Sequence, residues 1–294
     1  MHPQIPSTCT QPWEALRGDS LGWLLDQSRP NLHWRVLVEL VGRPADSPGV
    51  RRARGGANAA EPVAGLLADL HPNGEWATAE PTWTRDTGPG WRLVAAVQWG
   101  ADPEDPRLHA ASERLLESAP GEGGLSRSTS AQPDPRLTAR ALETMIALGW
   151  LKHPRVQEWM AWFEATDDWR GDPVVCAAVL GSAAGRETLS ESAVDGLTRA
   201  LTRAPGDLRN PVHPNLETTD LAEVLSGLAR AGIQWRPDWR TGLADLQELQ
   251  DDRGRWSADS PEASPWVTLK ATKALLTYAV DAGLPRFFPY PPGH

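Results

Sequence analysis

The chain has 294 residues, a formal net charge of −9, 40% hydrophobic and 23% charged residues, and an aromatic set dominated by 15 Trp against 2 Tyr and 3 Phe. This length suits one large domain or two small ones. The acidic balance, with Lys152, Lys270 and Lys273 as the only lysines, argues against broad nucleic-acid or anionic-membrane binding, and two cysteines, Cys9 and Cys176, without a CxxC exclude a cysteine zinc knuckle or redox pair.

The N-terminal residues MHPQIPSTCTQPWEAL contain no apolar signal region, and no run of 18 apolar residues occurs anywhere. The expectation is a cytoplasmic protein without a signal peptide or transmembrane segment. Neither strand-like alternation nor an Asn-Gly hairpin is visible, so the chain reads as all-α.

Taken in chain order, helices are expected at 12–27, 33–41, 50–70, 89–99, 106–118, 135–148, 154–164, 173–180, 187–203, 218–231, 237–250 and 264–281. Starts are marked by Asp105-Pro106, Asp134-Pro135, Asp172-Pro173 and Ser264-Pro265. In each, a capping side chain precedes a proline whose missing N–H costs nothing at the first helical position. Stops are marked by Gly42, Gly100, Gly149, Gly181, Gly232 and Gly283, where a left-handed residue after the helix is expected. Their spacings, 58, 49, 32, 51 and 51 residues, point to a repeat of two helices per roughly 50 residues. Short apolar helices end at these glycines and amphipathic ones alternate with them, as in six helical hairpins with an inner and an outer set. The Gly/Ser/Pro-rich stretch 119–134 and the stretch 204–217 read as mobile loops.

Two segments repeat one another. Leu66 to Leu70 leads through His71-Pro72-Asn73 to Gly74-Glu75-Trp76; Leu246 to Gln250 leads through Asp251-Asp252-Arg253 to Gly254-Arg255-Trp256. The glycine permits the turn, the Trp packs over the helix end, and Gln250 is placed to pair with exposed backbone groups there. A degraded copy, without the glycine, runs from Glu164 to Asp167-Asp168-Trp169. Inner helices then open on Trp91 and Trp266. Much of the Trp excess is thus an echo of this repeat.

A Q-x-x-x-G-x-W pattern at a helix end, in hairpins of this length, resembles the QW repeats of squalene and oxidosqualene cyclases and of protein prenyltransferase β subunits. More closely, segments such as HWRVLVELVGRPADSPGVRRAR, LLADLHPNGEW, DDRGRW and SPWVTLKATKALL resemble bacterial squalene-cyclase-like or prenyltransferase-like proteins. The resemblance spans about 30–281. It implies a single (α/α)6 toroid of about twelve helices, six inner and six outer. The layout is a segment 1–29 holding the first outer helix, the toroid at 30–284 and a tail at 285–294.

The family's chemistry is not carried over with its turns. Class II cyclases protonate an alkene from a DxDD cluster, which this chain lacks. Asp167, Asp168 and Asp172 give DDxxxD, one residue longer than the DDxxD that holds magnesium diphosphate. The zinc pair of prenyltransferases is Asp-x-Cys, whereas Asp172 and Cys176 lie four apart; on one helix face they would need His213 or His33 to complete a site. An N-cap Asp beside a buried Cys accounts for both residues without a metal, and no metal or cofactor is expected. No G-x-S-x-G, HExxH, P-loop or dinucleotide fingerprint occurs.

What remains is a central cavity. The N-terminal ends of the inner helices offer His33, Trp34, Arg35, Trp91, Arg92, Arg140, Asp172, Asp220, Glu223, Trp266 and Lys270 at one mouth. Mixed aromatic and charged groups there suit an amphipathic ligand, and Arg35, Arg92, Arg140 and Lys270 suit an anionic head such as diphosphate. The expected partner is therefore a hydrophobic or isoprenoid small molecule. Two alternatives stay open: a carbohydrate-active (α/α)6 enzyme using Asp86, Asp220 or Glu223, and a non-catalytic interaction scaffold with a filled centre.

Overall fold

A computed structural model describes residues 12–78, 80–84, 87–119, 123–127, 132–182, 186–203 and 205–285. The described residues are all-α, with no named strand; the only bridge joins Leu70 and Trp76. The helices are α1 (Ser20–Leu25), α2 (Pro30–Glu39), α3 (Pro48–Ala57), α4 (Val63–Leu67), α5 (Pro89–Gln98), α6 (Pro106–Ser118) and α7 (Pro135–Ala147), followed by α8 (Pro154–Ala165), α9 (Pro173–Ser182), α10 (Glu187–Arg203), α11 (Leu221–Arg230), α12 (Arg240–Glu248) and α13 (Ser264–Tyr278). Among them, none is long and apolar enough to cross a membrane.

Local chemistry explains most boundaries. The Asp105, Asp134 and Asp172 carboxylates accept from the backbone N–H groups of Arg107 (2.8 Å), Leu137 (3.1 Å) and Val174 (2.9 Å), each before a proline in the first turn. Ser264 behaves differently: it is already helical, and its hydroxyl donates to Ser260 O. Gly42, Gly100, Gly149, Gly232 and Gly283 take positive φ between 60° and 88°, ending the helices before them. Gly181 does not, because α9 runs on through Ser182.

Three expected helices are broken. The 50–70 segment splits into α3 and α4, since Pro62 withholds an N–H and pushes Glu61 off the helical region. Asn58 at the break instead bonds Asp102 N and Asp105 Oδ2. Gly18 interrupts the 12–27 segment at a close approach to Arg253 and Gly254, leaving a 3-10 turn at Pro12–Ala15 and then α1. The 237–250 segment opens with a 3-10 turn, Pro237–Trp239, before α12.

Helices α2, α13, α11, α9, α7 and α5 pack each against the next in that order. Asn31 Nδ2 and Trp34 Nε1 then donate to Trp99 O (2.9 Å) and Gly100 O (2.8 Å), tying α2 to the end of α5. These are the more deeply buried elements; in α9 only Pro173 and Gly181 are not buried. A second set packs outward on the preceding member: α3 on α2, α6 on α5, α8 on α7, α10 on α9 and α12 on α11. For α13 the corresponding neighbours are α1 and the 3-10 turn at the start of the chain.

The two Gly-x-Trp turns use one backbone solution 180 residues apart. Trp76 Nε1 donates to Leu66 O (3.0 Å) and Trp256 Nε1 to Leu246 O (2.7 Å). His71 N bonds Glu75 O, and Asp251 N bonds Arg255 O, both at 2.9 Å. Gly74 and Gly254 have φ of 80° and 81° and press on neighbouring backbone, at Ala110–Ala111 and at Gly18 respectively, so a Cβ fails at both on two grounds. At position 250 the copies diverge. Gln250 Oε1 accepts from Arg17 N (2.8 Å) and its Nε2 donates to Ser20 Oγ (3.2 Å), while Gln247 Nε2 donates to Ala15 O (2.8 Å). The second turn thereby clasps the N-terminal segment. In the degraded copy, Trp169 Nε1 donates to Phe163 O and Thr166 O instead.

Candidate functional site

Arg140 on α7 and Lys270 on α13 are cations that the apolar faces of their helices carry inside, where an ion without partners would be prohibitively costly. The segment 209–219, together with Glu143 and Glu223, supplies those partners. Arg140 donates to Glu223 Oε1 (2.7 Å) and Oε2 (3.2 Å), to Glu143 Oε2 (3.0 Å), to Leu216 O (3.3 Å) and to Thr218 O (3.2 Å). Burial works against its charge, but Glu223 and Glu143 hold it firmly protonated. Lys270 Nζ donates to Asn215 Oδ1 (2.5 Å) and Val212 O (3.1 Å), with Asp220 Oδ2 at 3.8 Å. Gln98 at the end of α5 clamps the same segment from the other side, accepting from Asn215 N (2.6 Å) and donating to Asn215 O (3.0 Å).

Asp220 caps α11 through Glu223 N (2.7 Å) and also accepts from Val212 N (2.7 Å). Burial pushes its carboxyl above the usual aspartate range in spite of Lys270. His213 stacks on Trp266 (centroids 5.0 Å, 5° between planes) and meets Trp99 edge-on at 4.4 Å. Burial, then Lys270 and Arg35, press its pKa well below 6.5. It stays neutral. The 204–217 stretch, expected to be mobile, is therefore an anchored wall over 209–217, because its carbonyls and amides are what the buried cations and Gln98 bind.

Above this wall lies a cavity of about 290 Å³, lined by groups from α2, α5, α7, α9, α11 and α13 together with His213 and Asn215. Val97, Ile146, Leu180 and Leu269 give it apolar sides. Exposed Ala147, Gly181 and Ala231 mark its rim, so it opens where α7, α9 and α11 end. At that rim Arg35 bonds Glu39 (2.5 Å) and Arg230 lies 3.9 Å from it. Burial raises the Glu39 carboxyl, but Arg35, Arg230 and Lys273 together hold it below its ordinary value of 4.5.

Five of the eleven candidates, Arg140, Asp220, Glu223, Trp266 and Lys270, meet at the wall, and Arg35 reaches the rim. The others lie apart. His33 Nε2 hydrogen-bonds Leu25 O (2.7 Å), and Trp34 is engaged with Gly100 O. Trp91 is buried edge-on to Trp83 (5.9 Å), and Arg92 donates to Thr87 O (3.0 Å). Asp172 pairs with Arg136 (2.6 Å) at the start of α9. Each of the four cations proposed for an anionic head, Arg35, Arg92, Arg140 and Lys270, already has an acceptor within the chain. The carboxylates Glu143 and Glu223 both accept hydrogen bonds from one nitrogen of Arg140, and Asp220 is occupied as a cap.

Cys176 sits against Gly196 and directs its thiol toward the carbonyls of Trp169 (3.8 Å) and Arg170 (3.7 Å); burial pushes it up to about 12. Among the described residues no three His, Cys, Asp or Glu side chains converge as metal ligands. Asp86 and Cys9 lie outside the described residues.

Four contributors went unread in the sequence: Gln98, Glu143, Asn215 and Arg230. Gln98 offered one signal, a polar residue on an otherwise apolar helix just before its stop glycine. His213-Pro214-Asn215 offered another, since buried Arg140 and Lys270 require acceptors from somewhere outside their helices. No family model and no curated protein sequence matches the chain.

Proposed function

We propose that the chain forms a single squalene-cyclase-like (α/α)6 toroid and binds a small hydrophobic or amphipathic molecule, of the isoprenoid kind, in its central cavity. The neighbour order α2, α13, α11, α9, α7, α5, with a second helix on each, supports the toroid. So does the identical hydrogen bonding of the turns at Trp76 and Trp256. The family relationship rests on the same turns.

The observation that carries the binding reading is the cavity of about 290 Å³, with apolar sides above a polar wall. Its volume lies near the lower end of the ~300–1,000 Å³ that drug-sized ligands occupy. A molecule smaller than a triterpene fits that space. A second hollow of about 470 Å³ lies beside Trp76, Pro89 and Leu115, and among the described residues no unpartnered buried side chain lines it.

The test is thermal melting of the purified protein against a panel of monoterpenes, sesquiterpenes, prenyl diphosphates, triterpenes and detergents. At a ligand concentration of 100 times Kd the gain is about 2.7 kcal/mol, a clear rise in Tm. A Tm that none of them moves would remove the reading and leave an interaction scaffold.

A further inference from the structure

Among the described residues, three side chains of the cavity lining carry buried polar atoms without a partner: Asn215 Nδ2 and Trp266 Nε1, on residues only 2% and 3% exposed, and both ring nitrogens of His213, one a donor and one an acceptor in the neutral imidazole. The amide of Asn215 cannot be turned to hide its donor. Its Oδ1 accepts from the Lys270 ammonium at 2.5 Å, and a flip would face N–H₂ against NH₃⁺. A buried donor left without an acceptor is costly and rare in folded proteins, so such a pair points to an acceptor that belongs there.

The surroundings define that acceptor's charge. Arg140, Lys270, Arg35 and Arg230 each have a carboxylate within the chain, the last at 3.9 Å from Glu39, and three carboxylates, Glu39, Glu143 and Glu223, line the same space. The rim includes the C-terminal ends of α7, α9 and α11, the negative ends of their helix dipoles, which disfavour an anion. Neutral His213, stacked on Trp266, adds no cation. A cation finds its carboxylates occupied by guanidinium groups and meets the N–H groups of Asn215 and Trp266, with one ring nitrogen of His213 as the sole buried unpartnered side-chain acceptor among the described residues of the lining.

We propose that the cavity selects a ligand whose polar head is an uncharged oxygen acceptor, of the alcohol or ketone class, held by Asn215 Nδ2 and Trp266 Nε1. This rests on the reading that the cavity binds a small amphipath, and replaces the anionic head by a neutral one.

Four probes with similar tails separate the cases: the hydrocarbon myrcene, geraniol, geranylamine and geranyl diphosphate, titrated calorimetrically into the full chain. Geraniol is expected to bind at least about tenfold more tightly than each of the other three. Asn215→Asp and Trp266→Phe should each weaken geraniol by about tenfold and leave myrcene unchanged. The Trp266 indole N–H resonance should also move on adding geraniol to the wild-type chain. Trp266→Phe keeps the ring, so the test stands even if Asn215→Asp folds poorly. Equal binding of myrcene and geraniol, tighter binding of the amine or diphosphate, or indifference of geraniol to Trp266→Phe would overturn the neutral head while leaving the cavity reading intact. Binding of none of the four would overturn both.

Discussion

The two ends of the deeply buried helices are finished in opposite ways. At the end where α7, α11 and α13 begin, the segment 209–219 lies across the centre, held by Arg140, Lys270 and Gln98 through backbone and side-chain acceptors. At the other end, where α7, α9 and α11 stop, the half-buried Arg35–Glu39 pair and the exposed Arg230 stand at the opening. Arg140 is 0% exposed at the first end; the Arg230 side chain is 34% exposed at the second. Similar residue types therefore do different work. Inside, an ion and its partners form a wall whose removal leaves uncompensated charge; outside, water replaces whatever partner is lost.

That contrast ranks the consequences of substitution. Arg140→Ala leaves Glu223 and the carbonyls of Leu216 and Thr218 without their donor, and should cost about 3–5 kcal/mol in urea unfolding. Lys270→Met removes one ammonium from Asn215 and Val212 and should cost about 2 kcal/mol by the same measurement. A loss below about 1 kcal/mol for Arg140→Ala would show that the wall does not depend on this buried ion pair.

The pH dependence is next in size. His213 has a folded pKa depressed below its ordinary 6.5, so the unfolded chain takes up a proton that the folded chain refuses. The stability that this provides is complete above 6.5 and falls as pH drops toward the folded value, with a slope of up to about 1.4 kcal/mol per pH unit for one proton. His213→Phe should flatten the unfolding free energy just below pH 6.5. Asp220 acts in the opposite sense, since its raised pKa favours the folded state as the carboxyl protonates. The smallest effect belongs to the open end: Arg230→Gln should change stability by about 0.5 kcal/mol or less, and a loss above about 2 kcal/mol would show that the rim is as tightly built as the wall.

Much of the scaffold was legible because its signals are local. An Asp before a proline caps a helix whatever the rest of the chain does, and a glycine that must take positive φ announces its stop. The turns at Trp76 and Trp256 repeated closely enough that their hydrogen bonds could be expected from either copy. Gly18 and Pro62 broke helices that amphipathic patterning alone had run together; in both cases backbone requirements outweighed hydrophobic periodicity. The site was less legible because it is not local. Which end of a buried helix is plugged depends on a segment some 75 residues away from Arg140 along the chain, contributing backbone carbonyls that composition cannot display. Of the four cations expected at one mouth, Arg140 and Lys270 bind the 209–219 segment, Arg35 stands at the opposite rim and Arg92 lies apart.

The most direct test of this account is amide hydrogen exchange across 209–219 in the native protein. The N–H groups of Val212 and Asn215, bonded to Asp220 and Gln98, should exchange as slowly as those of α7 and α11, and should lose that protection in Arg140→Ala. Exchange of both within seconds in the unsubstituted chain, as in a freely moving loop, would contradict the wall and the cavity that depends on it.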